Sequence, residues 1–163
     1  MPFSGILGAT APGSGTPTVN AGTTFTPIFD EQSVYSIGCV TIDPNNTYHV
    51  WVGTGENDGG RHIGFGDGVY RSTDGGASWQ NMGLKESEHI SKIIVHPDNS
   101  DVIYVASQGP LWSPGGERGF YKSTDGGKSW KRTLGDNQWM GVTDMAVDPR
   151  NANRIYAVTW EHH

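Results

Sequence analysis

Among the acidic side chains in the irregular stretches of this sequence, three are catalytic candidates: Glu56 and Asp58 in the run Thr54-Gly55-Glu56-Asn57-Asp58-Gly59-Gly60-Arg61-His62, and Glu117 near the end of the run from Gln108 to Arg118. Cleaving a glycosidic bond takes two carboxyl groups flanking it, one protonating the leaving oxygen and the other acting as base or nucleophile. Spacing alone does not bring these three together, so each stands as a catalytic candidate against the alternative of an ordinary loop residue. Trp112 and Trp139 lie in the same kind of stretch and are candidate contact residues, because an exposed indole stacks on a sugar ring or anchors a protein interface. The competing reading is that both fold under their own loops. The histidines show no metal-ligand spacing apart from the pair His162-His163, so neither a metal nor another cofactor is expected. Gly126-Gly127-Lys128-Ser129 mimics the end of a phosphate-binding loop, but Lys122 stands where that loop needs its first glycine.

What must position these residues is a repeat. Ser72-Thr73-Asp74-Gly75-Gly76-Ala77-Ser78-Trp79 returns as Ser123-Thr124-Asp125-Gly126-Gly127-Lys128-Ser129-Trp130. A worn copy precedes both, Thr18-Val19-Asn20-Ala21-Gly22-Thr23-Thr24-Phe25, with Asn for Asp, Ala for the first Gly and Phe for Trp. In the full copies the paired glycines supply positive backbone dihedrals, the Asp carboxylate accepts backbone N–H groups, and the hydroxyls add local partners. Each copy follows a β-prone run, Val69-Tyr70-Arg71 or Phe120-Tyr121-Lys122, and precedes a short strand, so it is a hairpin turn. Ser72, Asp74, Gly76 and Trp79, and their counterparts Ser123, Asp125, Gly127 and Trp130, are therefore structural, with the Trp expected on the departing strand and wedged against a neighbouring unit.

A second landmark keeps the same period. Asp43-Pro44, His96-Pro97 and Asp148-Pro149 are 53 and 52 residues apart, each between two alternating apolar runs. With the strands around each box this makes four antiparallel strands in about 50 residues, the size of a propeller blade. The sequence thus predicts an all-β fold, a partial β-propeller of four-stranded antiparallel blades. A Gly/Pro-rich arm, 1–19, with Phe3 and Leu7 as anchors, precedes the propeller section, 20–163. That section holds a leading fourth strand (Thr23 to Phe29), two full blades at about 34–84 and 89–134, and two trailing strands within 142–160. Trp51, Tyr104 and Tyr156 fall at equivalent sites and are assigned to packing between blades. The Asp-Pro turns and boxes share one face, and the long loops and inter-blade connectors share the other, where function concentrates.

Composition narrows the function classes. With 24 Gly, 9 Pro and 34% hydrophobic residues the chain suits short strands and tight turns, not long helices. Eleven basic against 17 acidic residues give a formal charge of −6, which argues against nucleic acid or an anionic membrane as partner. No apolar run approaches the roughly 20 residues of a membrane-spanning helix, so direct membrane insertion is not expected. The single cysteine, Cys39, lies in the apolar run Ile37-Gly38-Cys39-Val40 and reads as a buried, inert thiol.

The pattern S-T-D-G-G-x-S-W resembles the Asp-box, or BNR repeat, of β-propellers such as sialidases, xyloglucanases, sortilin-type receptors and photosystem assembly factors. Residues 20–163 resemble an internal segment of bacterial sortilin-like and glycosyl-hydrolase-type propeller proteins. The resemblance implies an extracytoplasmic, periplasmic or secreted protein; residues 1–19 lack the positive n-region and continuous apolar core of a secretory signal peptide, so none is expected within this chain. A sialidase would need an arginine cluster and an Arg-Ile-Pro motif; the latter is missing, and Arg71 holds the repeat position of Lys122, which makes it structural. Two functions remain open. One is a non-catalytic module, a protein-interaction or structural subunit docked on a larger assembly through its open edges, arm and long-loop face. Since roughly four to eight blades close a propeller and bare edge strands need cover, a protein partner or self-association closing a ring is then expected. The other is a fragment of a propeller glycoside hydrolase or carbohydrate-binding protein, with a glycan partner, in which Glu56, Asp58 or Glu117 act beside Trp112 and Trp139.

Overall fold

The computed structural model describes residues 7–8, 26–57 and 63–161. Its elements, in chain order, are β1 (Leu7–Gly8), β2 (Thr26–Pro27), β3 (Ile37–Ile42), β4 (Val50–Thr54), β5 (Val69–Ser72), β6 (Gln80–Asn81), β7 (Ile90–His96), β8 (Asn99–Ser107), β9 (Gly119–Ser123), β10 (Lys131–Leu134), β11 (Met140–Asp148) and β12 (Asn151–Glu161). Strands β3-β4-β5-β6 form one antiparallel four-stranded sheet, β7-β8-β9-β10 a second, and β11-β12 a two-stranded third. The first strands of successive sheets lie side by side, β3 against β7 and β7 against β11. The fold is all-β, a partial propeller of four-stranded blades.

Of the leading strand expected over Thr23 to Phe29, residues 26–29 are described, and the strand ends at Pro27. It is described as the two residues of β2 and pairs with β1 from the arm (Leu7 opposite Pro27), so part of its edge is covered by the chain itself. Phe3, most of the arm and the worn box at Thr18 to Phe25 lie outside the described residues, as do Asp58, His62 and His162-His163.

Blade packing follows from strand alternation. One face of β4 carries Trp51, fully buried in a cluster with Val69, Ile90, Ile93, Ile103 and Val105 of the first two sheets. The corresponding Tyr104 of β8 is buried against Val142 and Met145 of the third sheet. Directly opposite each ring on the next strand stands a cation: Arg71 faces Trp51 with its guanidinium 5.1 Å from the ring centre, and Lys122 faces Tyr104 at 5.5 Å. Arg71 also donates to the Gly126 carbonyl of the next box, 3.2 Å away, so it is a blade-to-blade tie. Tyr156, the third member of the series, departs from expectation: it is 57% exposed, as is Val158 on the same face of β12, since no further sheet lies beyond β12 among the described residues. Val40 and Ile42 on the opposite flank are exposed for the corresponding reason. Cys39 is half-buried and packs on the first cluster, and burial pushes its thiol up to about 12, which leaves it protonated and unreactive.

Both boxes close by one hydrogen-bond set. Ser72 Oγ donates to Asp74 Oδ1 (2.7 Å) and accepts from Gly76 N (2.8 Å), while Ser78 N donates to Asp74 Oδ1 (2.8 Å). Ser123, Asp125, Gly127 and Ser129 repeat this at 2.7, 2.9 and 3.0 Å. The second glycine of each box faces the preceding unit. A Cβ on Gly127 (φ +85) would lie 2.6 Å from the Trp51 ring, and one on Gly76 (φ +96) 2.6 Å from Ile28. Trp79 and Trp130 stand just ahead of β6 and β10, not within them, and each indole N–H reaches backward: Trp79 Nε1 to the Ile28 carbonyl (2.6 Å) and Trp130 Nε1 to the Met82 carbonyl (2.7 Å). Met82 is three residues past Trp79, and Ile28 three residues past Phe25, which places the worn copy in register with the other two.

This chemistry gives a pH signature. The Ser78 hydroxyl, with Ser72 and the Ser78 N–H, holds the Asp74 carboxyl down at about 2; the Ser129 hydroxyl and N–H, with Ser123, do the same for Asp125. A depressed folded pKa adds stability above the unfolded value of about 3.9 that is lost as pH falls through the folded value. Stability is therefore expected to drop between about pH 4 and about pH 2, and the Asp74→Asn/Asp125→Asn double variant to show a flatter drop in urea melts taken across that window.

Candidate functional site

The end of the sheets opposite the boxes carries the β4–β5 loop, the β8–β9 loop and the connectors between sheets. Buried plugs hold these segments down. Ile63 and Leu111 point inward, and Thr54 Oγ1 (to Gly68 O, 2.7 Å) and Ser107 Oγ (to Glu117 O, 2.6 Å) clip the two loops at equivalent places. Asn57 bridges the first two sheets, donating to the Gly38 and Ile90 carbonyls and accepting from Gln108 Nε2 (3.0 Å).

Arg118 is the centre of the second loop. It is fully buried, and its guanidinium donates to the carbonyls of Gly115 (2.8 Å), Pro110 (2.7 Å), Ser113 (2.7 Å) and Trp139 (2.9 Å). Three of these acceptors shape the loop and the fourth ties it to the β10–β11 connector. Burial lowers the Arg118 pKa and the nearby Glu88 charge opposes that shift; the same proximity counters the burial that raises Glu88. His89, wholly buried beneath Phe65 (ring centres 5.7 Å apart), is pushed below its ordinary pKa by burial, partly offset by the Glu56 carbonyl and carboxylate. The imidazole is therefore neutral near pH 7.

The carboxylate candidates are tied into this framework. Glu56 Oε2 accepts from Gly64 N (2.9 Å) and closes its own loop, while Glu117 Oε2 accepts from Glu86 N (2.9 Å) and fastens the β8–β9 loop to the β6–β7 connector. Each braces a different segment. Among the described residues no group of three His, Cys, Asp or Glu side chains is arranged to hold a metal ion.

The aromatics are arranged differently. Trp112 follows the buried Leu111 and is 73% exposed, whereas Trp139 is half-buried, its carbonyl held by Arg118 and its N–H by Asn137 Oδ1 (2.8 Å). Two further aromatics share the face: Tyr35, 74% exposed on the approach to β3, and Phe65, 57% exposed between Gly64 and Gly66. Tyr35 lies beside Gly64, where a Cβ would come 3.1 Å from its ring. Neither was marked by the repeat. The signals available were a tyrosine just before the first strand and an aromatic flanked by glycines in a loop.

Blades, boxes and backward-reaching indoles define an Asp-box β-propeller segment. The chain belongs to the Sortilin-Vps10 family, whose model, described as sortilin, neurotensin receptor 3, matches residues 67–163. A xyloglucanase of a Paenibacillus species is 35% identical over 113 residues, 68% of this chain and 10% of that enzyme. Among solved structures, the GH74 enzyme of Niastella koreensis is similar with a TM-score of 0.64 at 26% identity, over 86% of this chain and 21% of that one. An ancestral GH74 enzyme gives 0.57 at 27%, over 75% and 13%. The chain thus spans about a tenth of the length of its curated relative and resembles a segment of a glycosyl-hydrolase-type propeller.

Proposed function

We propose that this chain is a carbohydrate-contacting segment of an extracytoplasmic propeller glycoside hydrolase, whose long-loop face supplies stacking platforms to a xyloglucan-type polysaccharide. The observation that carries it is the set Tyr35, Phe65 and Trp112, exposed together at the end of the sheets where the irregular loops gather. Flat aromatic faces match the apolar faces of sugar rings, and the Arg118 carbonyl clamp fixes the loop bearing Trp112, so little loop entropy is lost on binding. Similarity to a xyloglucanase and to GH74 enzymes supports the substrate class. Because Glu56 and Glu117 both brace loops, the segment contributes binding surface in preference to the acid–base pair.

The test is titration of the chain with xyloglucan oligosaccharides, followed by calorimetry and by a cleavage assay. Saturable binding is expected, weakened at least about tenfold by Trp112→Ala, the factor that corresponds to ~1.4 kcal/mol of lost contact. Undetectable binding, or equal binding by the variant, overturns the proposal. Cleavage abolished by Glu56→Gln or Glu117→Gln would transfer the catalytic role to those residues.

A second reading, a module docked on a protein partner, is favoured by one observation: the flanks carry exposed Val40 and Ile42 on β3 and exposed Tyr156 and Val158 on β12.

A further inference from the structure

Phe65 stands out on the long-loop face, while the polar groups beneath it are sealed and unpaired. His89 is wholly buried under the Phe65 ring, and among the described residues neither of its ring nitrogens has a hydrogen-bond partner. The same holds for the hydroxyls of two other wholly buried side chains nearby: Ser87, two residues earlier, and Ser36, which a Cβ on Gly64 would strike. A neutral imidazole is tolerated in such a place at the cost of its unmet bonds, and a charged one far less readily. The loop above is fastened through its backbone. Gly64 lies against Ser36 and Gly66 against Thr54 and Gly55, held by Gly64 N to Glu56 Oε2 (2.9 Å), Glu56 N to the Gly64 carbonyl (3.0 Å) and Gly66 N to the Glu88 carbonyl (2.7 Å). Both holding residues adjoin His89. Glu88 is its chain neighbour, in a left-handed backbone (φ 53) that residues with a Cβ seldom adopt, and the Glu56 carbonyl and carboxylate both act on its ring.

We propose that His89 is a proton-sensing positioning residue for the long-loop face: on taking up a proton it draws the Glu56 carboxylate away from the Gly64 N–H, and Phe65 lifts off with its loop. Protonation turns both ring nitrogens into donors, and a carboxylate is the acceptor with which an imidazolium pairs most strongly. Among the described residues, the charged groups around the ring are Glu56 from the β4–β5 loop, Glu88 on its own connector and, paired against Glu88, Arg118 from the β8–β9 loop. Arg118 is committed to four carbonyls, so Glu56 is the group that turns. Burial holds the ring of the closed loop below the ordinary histidine value of 6.5. The open loop, where water reaches the ring, therefore binds the proton more tightly, and opening grows about tenfold per pH unit as pH falls below about 6.5, until the closed-loop value is reached. The inference rests on how Phe65 is packed and not on what Phe65 binds, so absence of oligosaccharide binding leaves it intact, and its own failure leaves the carbohydrate reading intact. With both in force, oligosaccharide affinity falls through the same midpoint.

The test follows two signals in the unaltered chain from about pH 7.5 to about pH 4.5, above the range in which the boxes lose stability. One is hydrogen exchange at the Gly64 and Gly66 amides, corrected for the intrinsic effect of pH; the other is the NMR shift of the His89 ring. Protection of the two amides is expected to fall at least about tenfold, with a midpoint that coincides with the ring titration and lies below about 6.5, while amides of the β7–β8 pair keep theirs. His89→Gln keeps a polar side chain but takes no proton, so its amides stay protected across the same range. Coincidence of the two midpoints in the unaltered chain decides the matter even where the variant folds poorly. Amides that stay protected while the ring titrates overturn the proposal, as does a ring that titrates at its ordinary value. So does loss of protection at about pH 4.3 or above with the same midpoint in both chains, which would assign the release to protonation of Glu56 itself or of another group.

Discussion

Trp51→Ala is expected to lower the unfolding free energy by about 3–5 kcal/mol, the usual cost of truncating a fully buried large aromatic. Three things are lost together. The ring fills the space between the first two sheets among Val69, Ile90, Ile93 and Val105; it receives the Arg71 guanidinium; and it forms the floor on which the Gly127 turn rests. Equilibrium urea unfolding reads the total. The same contact is reached from the other side by Gly127→Ala, whose methyl collides with the ring and must also occupy a left-handed backbone, a strain of roughly 1–2 kcal/mol by itself. In the double variant the collision disappears while the backbone strain stays, so the two costs add to more than the double variant shows. Strict additivity would mean that Trp51 and Gly127 do not share an interface.

The second large effect is expected at Arg118. Arg118→Met keeps much of the side-chain volume but leaves the carbonyls of Pro110, Ser113, Gly115 and Trp139 without their donor, at a cost of about 3 kcal/mol or more. Arg118→Lys recovers only part, since an ammonium cannot reproduce the planar fork that reaches four acceptors at once. Besides a lower urea midpoint, limited proteolysis is expected to cut the variant within 110–116 and to leave the unaltered chain intact there. If the midpoint falls while the loop stays resistant, Arg118 supports the core but does not hold the platform beneath Trp112.

The blades were legible because local physics dictates their letters. Two glycines with positive φ, an Asp that must accept and a serine that must donate leave little choice of residue in the turn, and the turn recurs at a measurable interval. Burial was less legible, because a period assigns a position and not a neighbour. Tyr156 stands where Trp51 and Tyr104 stand, yet it is exposed, since what covers those two is the following sheet. The long-loop face was legible only in outline. The sequence marked Trp112, which is exposed, and Trp139, which is half-buried; it passed over Tyr35 and Phe65, whose exposure depends on how irregular loops lie across each other. Glu56 and Glu117 illustrate the same difficulty: a carboxylate that closes a loop and one that works on a substrate look alike until their partners are seen. Arg118 gave no signal at all, because an arginine in a Gly/Pro-rich run ordinarily reads as solvated.

The backward reach of the box tryptophans has an evolutionary corollary. Since each of the two complete units carries the fastener that ties it to its predecessor, and the first offers a main-chain acceptor to its successor, a tandem duplication of such a unit adds a working joint without any compensating change elsewhere. A backbone carbonyl cannot be mutated away, so the receiving half of the joint persists even in a copy whose box has decayed, as at Ile28 behind Phe25. Proteins assembled from such units can lengthen, shorten and drift in sequence while their neighbours continue to fit.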